Sequence, residues 1–310
     1  MRASIFLLTL LCCAGATPAD RWQPLYERTS PDLQTALEMR LNANREWAKL
    51  IRDRKMAIGL VDLSNGQPQF ARVNGNQMMY AASLPKIAIL LGVYASFEDG
   101  SLAETDAVHE DLGNMIRVSS NAAATRLMDL VGMRKIQAIL QEPQYGFYDR
   151  KRGGGLWVGK RYAASGARIG DPVHNISHGA TVTQVCRFFY LLAEKRLINA
   201  HRSEQMLSDL ADPGLHHKFV SQIDRRAPDA QVYRKSGSWR QWHSDAIMVH
   251  GSQWRNYILV GLIESPNGEQ ILRSVLPAVE DLMMPADYID DGSKIIARSE
   301  SRRPSQVRRE

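Results

Sequence analysis

Three clusters of residues in this 310-residue chain have the types and spacing to do chemistry. Ser83-Leu84-Pro85-Lys86 precedes Ile87-Ala88-Ile89-Leu90-Leu91-Gly92-Val93, a run that is apolar all round and predicts a buried helix. Residues three apart on a helix share a face, so this spacing would let Ser83 and Lys86 touch. Burial pushes a lysine toward its neutral form, and a neutral amine beside a hydroxyl can take its proton and make it a nucleophile. Free N–H groups at the helix start would face the anion formed on an attacked carbonyl. The same residues also read as a capping serine followed by a snorkelling lysine. Ser119-Ser120-Asn121 sets a hydroxyl and an amide two apart on a tight turn, where one could relay a proton and the other grip a substrate amide, or where the turn simply caps a helix. Lys235-Ser236-Gly237-Ser238 lies in a strand-like stretch between Tyr233 and Trp239. A glycine inside a strand marks close approach of a ligand or another backbone, and a lysine and hydroxyl beside it suit a carboxylate.

In this order the three clusters resemble the S-x-x-K, S-D-N and K-T-G signatures of class A β-lactamases and their relatives, the penicillin-binding proteins. The likeness extends to Ala57–Pro85, similar to the family's first hairpin leading into the active serine, to Thr181–Ile198, similar to a later helix, and to Ser244–Glu264, similar to the last two strands. It implies an α/β (α+β) fold in which helices flank an antiparallel five-stranded sheet, with an all-helical lobe beside it. By the same resemblance Ser83 would be acylated, Lys86 would be its base and Ser119 would pass the proton to the leaving nitrogen. Asn121 would bind the substrate amide, and Lys235 with Ser236 of the Lys-Ser-Gly237 strand would hold a carboxylate. The backbone N–H groups of Ser83 and Ser238 would form the oxyanion hole. The implied substrate is a β-lactam or a peptidoglycan-like peptide amide, with no cofactor and no metal. A catalytically silent protein that holds a cell-wall peptide or a protein partner on the same fold is the competing reading.

The chain departs from the family's pattern in four places. Ser120 stands where the family has aspartate, and Ser236 where it has threonine. The interval from Ser83 to Ser119 is shorter than usual, which suggests a trimmed loop and a more open cleft. The E-x-x-L-N segment, whose glutamate activates the deacylating water, has no counterpart. No glutamate occurs between Glu142 and Glu194, and the stretch instead contains Gly153-Gly154-Gly155-Leu156-Trp157-Val158-Gly159-Lys160-Arg161-Tyr162. Asp149, Asp171 and His174 are candidate substitutes. His174 and His178 have helical metal-ligand spacing, but Gly179 and polar neighbours argue for a loop.

Positioning such a site takes a scaffold, and the rest of the chain supplies its elements. Ser30-Pro31-Asp32 offers a cap, and Leu33, Leu37, Leu41, Trp47 and Ile51 predict one long amphipathic helix. Met56–Leu63, the turn Ser64-Asn65-Gly66, and Gln67–Val73 predict a hairpin. From Ala81 to Val185 apolar residues recur at helical spacing and strand-like stretches largely disappear. Val232–Ser238, Ala246–His250 and Tyr257–Glu264 predict an antiparallel meander, and Ile271, Val275, Val279 and Leu282 a final helix. The expected division is 20–85 with 218–286 as an α/β lobe and 86–217 as a helical lobe.

The ends read differently. Residues 1–19 combine Arg2, an apolar core from Ile5 to Cys13 and the small residues Ala14-Gly15-Ala16, the pattern of a secretory signal peptide, so the expected location is periplasmic or secreted. Lipid anchoring at Cys12 or Cys13 would need a small residue just before the cysteine, which is missing. With the signal removed Cys186 stands alone, leaving no intramolecular disulfide. No run approaches the roughly 20 apolar residues that span a bilayer. The net charge is +6, and basic residues crowd the end of the chain: from Lys294 onward Lys294, Arg298, Arg302, Arg303, Arg308 and Arg309 stand against only Glu300 and Glu310, so the polar 287–310 segment predicts a solvated basic tail dispensable for folding. Basic residues interleaved with aromatics on a folded surface, as nucleic-acid binding requires, are absent from the pattern.

Overall fold

The computed structural model describes residues 22–252 and 254–285; the signal-like start and the basic tail lie outside the described residues. Two helices open the fold, α1 (Pro31–Asn42) and α2 (Arg45–Arg52), where the sequence predicts one. The break is local chemistry: the Asn44 side chain accepts from Glu46 N and Trp47 N, capping a second helix and turning the chain. The hairpin follows as predicted, β1 (Met56–Asp62) pairing antiparallel with β2 (Gln69–Val73).

After the short strand β3 (Met79–Tyr80) come α3 (Lys86–Glu98), α4 (Asp106–Arg117), α5 (Asn121–Val131) and α6 (Met133–Gln141). The next stretch is not helical throughout. It holds β4 (Tyr148–Asp149), β5 (Gly154–Gly155), β6 (Trp157–Val158) and β7 (His178–Ala180). Helices α7 (Val182–Ala193), α8 (Ala200–Leu210) and α9 (Val220–Arg226) lead to the meander of β8 (Gln231–Trp239), β9 (Trp242–His250) and β10 (Asn256–Glu264), and α10 (Gly268–Met283) ends the described chain.

The main sheet has five antiparallel strands in the order β2-β1-β10-β9-β8, the fold class expected from the sequence. Both faces are covered, so its strands read as nearly continuous apolar runs rather than as alternations. Met56, Ile58, Leu60, Ile247, Val249 and Leu259 pack with Leu37 and Leu41 of α1 and Ile271 and Val275 of α10. The alternate residues Ala57, Val61, Ala246, Met248, Ile258 and Val260 join a larger cluster with α3 and α7. A Cβ on Gly59 would come within 2.6 Å of Cys186 Sγ, so glycine lets α7 cross β1 closely. Helix α3 is buried from Lys86 through Phe97, as its all-round apolarity predicts, and β8 lies at the sheet edge.

Candidate functional site

Ser83 lies not in α3 but in the turn before it, since the helix begins at Lys86 after Pro85. The two carbonyls preceding it are pinned from different elements: Ser244 Oγ on β9 donates to Ala81 O at 2.8 Å, and the Tyr162 hydroxyl donates to Ala82 O at 3.0 Å. Ala82 itself has φ 51°, a left-handed conformation costly for a residue with a Cβ, and this bend sets the direction of Ser83. Among the described residues neither the Ser83 side chain nor its N–H has a hydrogen-bond partner; Lys86 N donates to Ser83 O at 3.2 Å, but no side-chain bond joins the two, contrary to what a helical i,i+3 pair predicts.

Lys86 points instead at the second cluster. Its Nζ donates to Ser119 O at 2.6 Å and Asn121 Oδ1 at 2.8 Å, with Ser119 Oγ at 3.4 Å. From the other side Lys235 Nζ, wholly buried, donates to Ser119 Oγ at 2.9 Å and to Ser236 O at 2.9 Å. The Ser119 oxygen thus accepts from the two lysine amines, which leaves its own proton free to be donated into the cleft. Ser119 is also held left-handed, at φ 60°, to present both its carbonyl and its hydroxyl to the lysines. Ser120 performs the capping role anticipated for this turn, accepting from Ala123 N at 3.2 Å so that α5 starts at Asn121.

Burial drives the electrostatics. It lowers the Lys86 amine from 10.5 to about 7, and the facing ring of Tyr162, 4.6 Å from Nζ, adds to its enclosure. Burial, and then the neighbouring Lys86, push Lys235 well below its ordinary value. An amine near 7 can act as a base at neutral pH. An arriving carboxylate would favour the charged form of Lys235.

Behind β8 stands a group that the sequence does not reveal. Lys218 Nζ donates to Gly237 O at 2.6 Å, Ser238 Oγ at 2.8 Å and Ser244 O at 3.0 Å, and burial lowers it to about 8. Arg234 forms a buried two-pronged pair with Asp245 on β9, at 2.8 and 3.0 Å. Lys218, Arg234 and Lys235 therefore gather around one carboxylate, Asp245, which Arg234 pairs directly.

Gly237 explains itself in space. A Cβ there would lie 2.4 Å from Ala81 O and 2.5 Å from Ser83 N, both backbone atoms that cannot turn aside. Gly237→Ala is expected to cost about 1–3 kcal/mol through overpacking and to slow any acylation of Ser83 by on the order of 10²-fold through displacement of its backbone. Thermal melts and labelling rates check this, and unchanged labelling would place the reacting centre elsewhere.

The candidate substitutes for the missing glutamate are occupied. Asp149 accepts from Lys151 N and pairs with Arg152. Asp171 is buried, which alone would raise its carboxyl, but the N–H groups of His174 and Ile176, the Tyr148 hydroxyl and Val173 N hold it below the usual range. His174 Nε2 faces Gly153 O, while His178 sits on β7 with Nε2 against Lys160 O. Burial lowers His178 to about 4, so it is neutral at physiological pH. Among the described residues no three His, Cys, Asp or Glu side chains form a group that could hold a metal ion. No described helix is long and apolar enough to cross a membrane. Cys186 is buried with its thiol pushed up by burial, as a packed core residue.

A five-stranded antiparallel sheet between helices, with a serine turn, two lysines on one hydroxyl and a Lys-Ser-Gly edge strand, defines a β-lactamase-like serine hydrolase fold. The sequence matches the β-lactamase enzyme family over residues 42–111 and 107–283, more than half of the chain, and the protein belongs to that family. Its fold is similar to a β-lactamase from Xanthomonas campestris (TM-score 0.61, 16% identity, covering 81% of this chain and 99% of that one). It is likewise similar to a β-lactamase from Sphaerobacter thermophilus (TM-score 0.60, 16% identity, 80% and 95% covered). A structure of PBP-A is similar at TM-score 0.58 and 17% identity, with 84% and 99% covered. A comparison with curated protein sequences gives no match.

Proposed function

We propose that this protein is an exported serine hydrolase that forms an acyl-enzyme through Ser83 with β-lactams or cell-wall-like peptide amides. The observation that carries the proposal is the bonded chain Lys86–Ser119–Lys235 beside Ser83, whose hydroxyl is without a partner among the described residues and whose N–H faces the Gly237 gap. In this reading Lys86, near neutrality, takes the Ser83 proton once substrate reorganises its hydrogen bonds, since such bonds tighten only in the complex. Ser119 passes a proton to the leaving nitrogen, Asn121 grips the acyl-side amide, and Lys235 and Ser236 hold the carboxylate, with Lys218 supporting the strand from behind. The N–H groups of Ser83 and Ser238 would receive the oxyanion. Family membership supports this chemistry, as does a similar fold, a PBP-A mutant described as an acyl-enzyme complex with penicillin G. A silent binding role would not require an amine held near neutrality. The signal-like start supports export.

Intact-protein mass after incubation with benzylpenicillin tests the proposal: the expected result is an increase of one penicilloyl group, mapping to the Ser83 peptide. An unmodified mass at every time point would overturn it. The pH dependence follows from Lys86, whose reactive form is the neutral amine. With its titration lowered to about 7 by burial, acylation should be slow at pH 5.5, rise through about 7 and level off above 8. A flat profile over that range would remove Lys86 from the role of base.

A further inference from the structure

Beside Asn121 the cleft continues into a cavity of about 540 Å³ whose walls include Tyr80, Tyr162, His178 and Trp239. An adjoining cavity of about 400 Å³ shares Tyr80, Arg168 and Trp239 and extends to Trp242 and Arg240. Two features distinguish these walls from the reacting centre. The first is a continuous set of rings: Trp242 meets Tyr80 at 5.4 Å, Tyr80 meets His178 at 6.1 Å, and His178 meets Tyr162 at 4.4 Å. Trp239 stands over the opening, 55% exposed. The second is charge without countercharge. Lys160, Arg161, Arg168 and Arg240 line the two cavities, and among the described residues no aspartate or glutamate does. Arg161 is paired with Asp129 outside the walls, but among the described residues no carboxylate lies within ion-pair distance of Lys160, Arg168 or Arg240. Among the described residues the Lys160 side chain donates only to the carbonyl of Ala164, and that of Arg168 only to Asn175.

We infer that this aromatic, cation-rimmed annex is a specificity subsite for the acyl side of the substrate, selecting acyl groups that carry a planar moiety and a second carboxylate. The side is set by Asn121, which borders the annex and grips the acyl-side amide in the function proposed above, on which this inference rests. The first carboxylate goes to Lys235 and Ser236 on the leaving-group side, so the preferred substrate is a dianion. Low-dielectric walls with one sign of charge concentrate such a ligand and speed its capture.

Benzylpenicillin and carbenicillin test this directly, because they differ by a single carboxylate beside the phenyl ring of the acyl group. Carbenicillin should acylate roughly three- to tenfold faster, the effect of one or two exposed ion pairs, and the advantage should shrink in 1 M salt, where the Debye length is about 3 Å. In the Lys160→Gln, Arg240→Ala double variant the ratio of the two rates should fall to about one. Arg168 is left in place because it holds Asn175. Equal rates in the unsubstituted protein, or an undiminished ratio in a double variant with an unchanged thermal midpoint, would overturn the inference. If neither penicillin acylates, the proposed function fails, and ligand-observed NMR binding of phenylmalonate against phenylacetate then decides the subsite alone. Tighter phenylmalonate binding that the double variant loses supports it; equal binding overturns it.

Discussion

Lys86→Met is expected to lower the rate of Ser83 acylation by about 10²–10⁴-fold, the contribution of a positioned base, while raising the thermal midpoint. The two effects have one cause. Holding an amine near neutrality at pH 7 that would titrate at 10.5 in water costs on the order of 5 kcal/mol. Methionine fills a similar volume without that penalty and relieves the repulsion with Lys235. Against this, the Ser119 carbonyl and Asn121 Oδ1 lose a donor, a loss of about 1–3 kcal/mol for each group that stays buried and unpaired. Asn121 is exposed and can turn to water, so the relief outweighs the loss. Ser83→Ala should behave differently, abolishing the adduct with little change in stability, because the Ser83 hydroxyl has no partner to lose. Labelling that survives in a folded Ser83→Ala variant would mean another nucleophile. A Lys86→Met protein that is both slower and less stable would mean that Lys86 holds the fold together rather than storing strain for chemistry.

The contrast between what the sequence reveals and what it hides follows from distance along the chain. Ser83 and Lys86, Ser119 and Asn121, and Lys235 to Gly237 each carry their chemistry within four residues, so their types and spacing could be read directly. The sheet was legible because β1, β2 and the three strands of the meander are five to nine residues long and bounded by turns. Strands β4 to β7 span two or three residues each, too short for any period to register. Asn44 sits inside a helical pattern whose apolar spacing continues across it, and only its capping bonds show the break. Lys218 and Tyr162 could not be found at all. A lysine before Phe219-Val220 and a tyrosine after two basic residues are ordinary, and they gain meaning only when the fold brings them to Gly237 O and Ala82 O.

Deacylation is where this site should differ most from an efficient β-lactamase. Hydrolysis of the Ser83 ester needs a water held against the carbonyl and a group to take its proton. Asp149, Asp171 and the two histidines of the 143–178 stretch are spent on loop contacts, and the cavity wall beside Asn121 carries Lys160, Arg161 and Tyr162 rather than a carboxylate. The Tyr162 ring covers Lys86 at 4.6 Å and helps close that amine off from water. Losing a positioned carboxylate slows such a step by about 10²–10⁴-fold, whereas the acylation proposed for Ser83 and Lys86 calls on no such group. A chromogenic cephalosporin should therefore show a burst of about one equivalent followed by a much slower steady rate, and the acyl-enzyme should dominate the mass spectrum between turnovers. Tyr162→Ala should raise the steady rate by admitting water and should move the acylation midpoint upward, because a better hydrated Lys86 titrates closer to its ordinary value. Rapid turnover without a burst in the unsubstituted protein would defeat this account. It would assign water activation to Lys86 itself, and the steady rate would then rise through about pH 7 with the same profile as acylation.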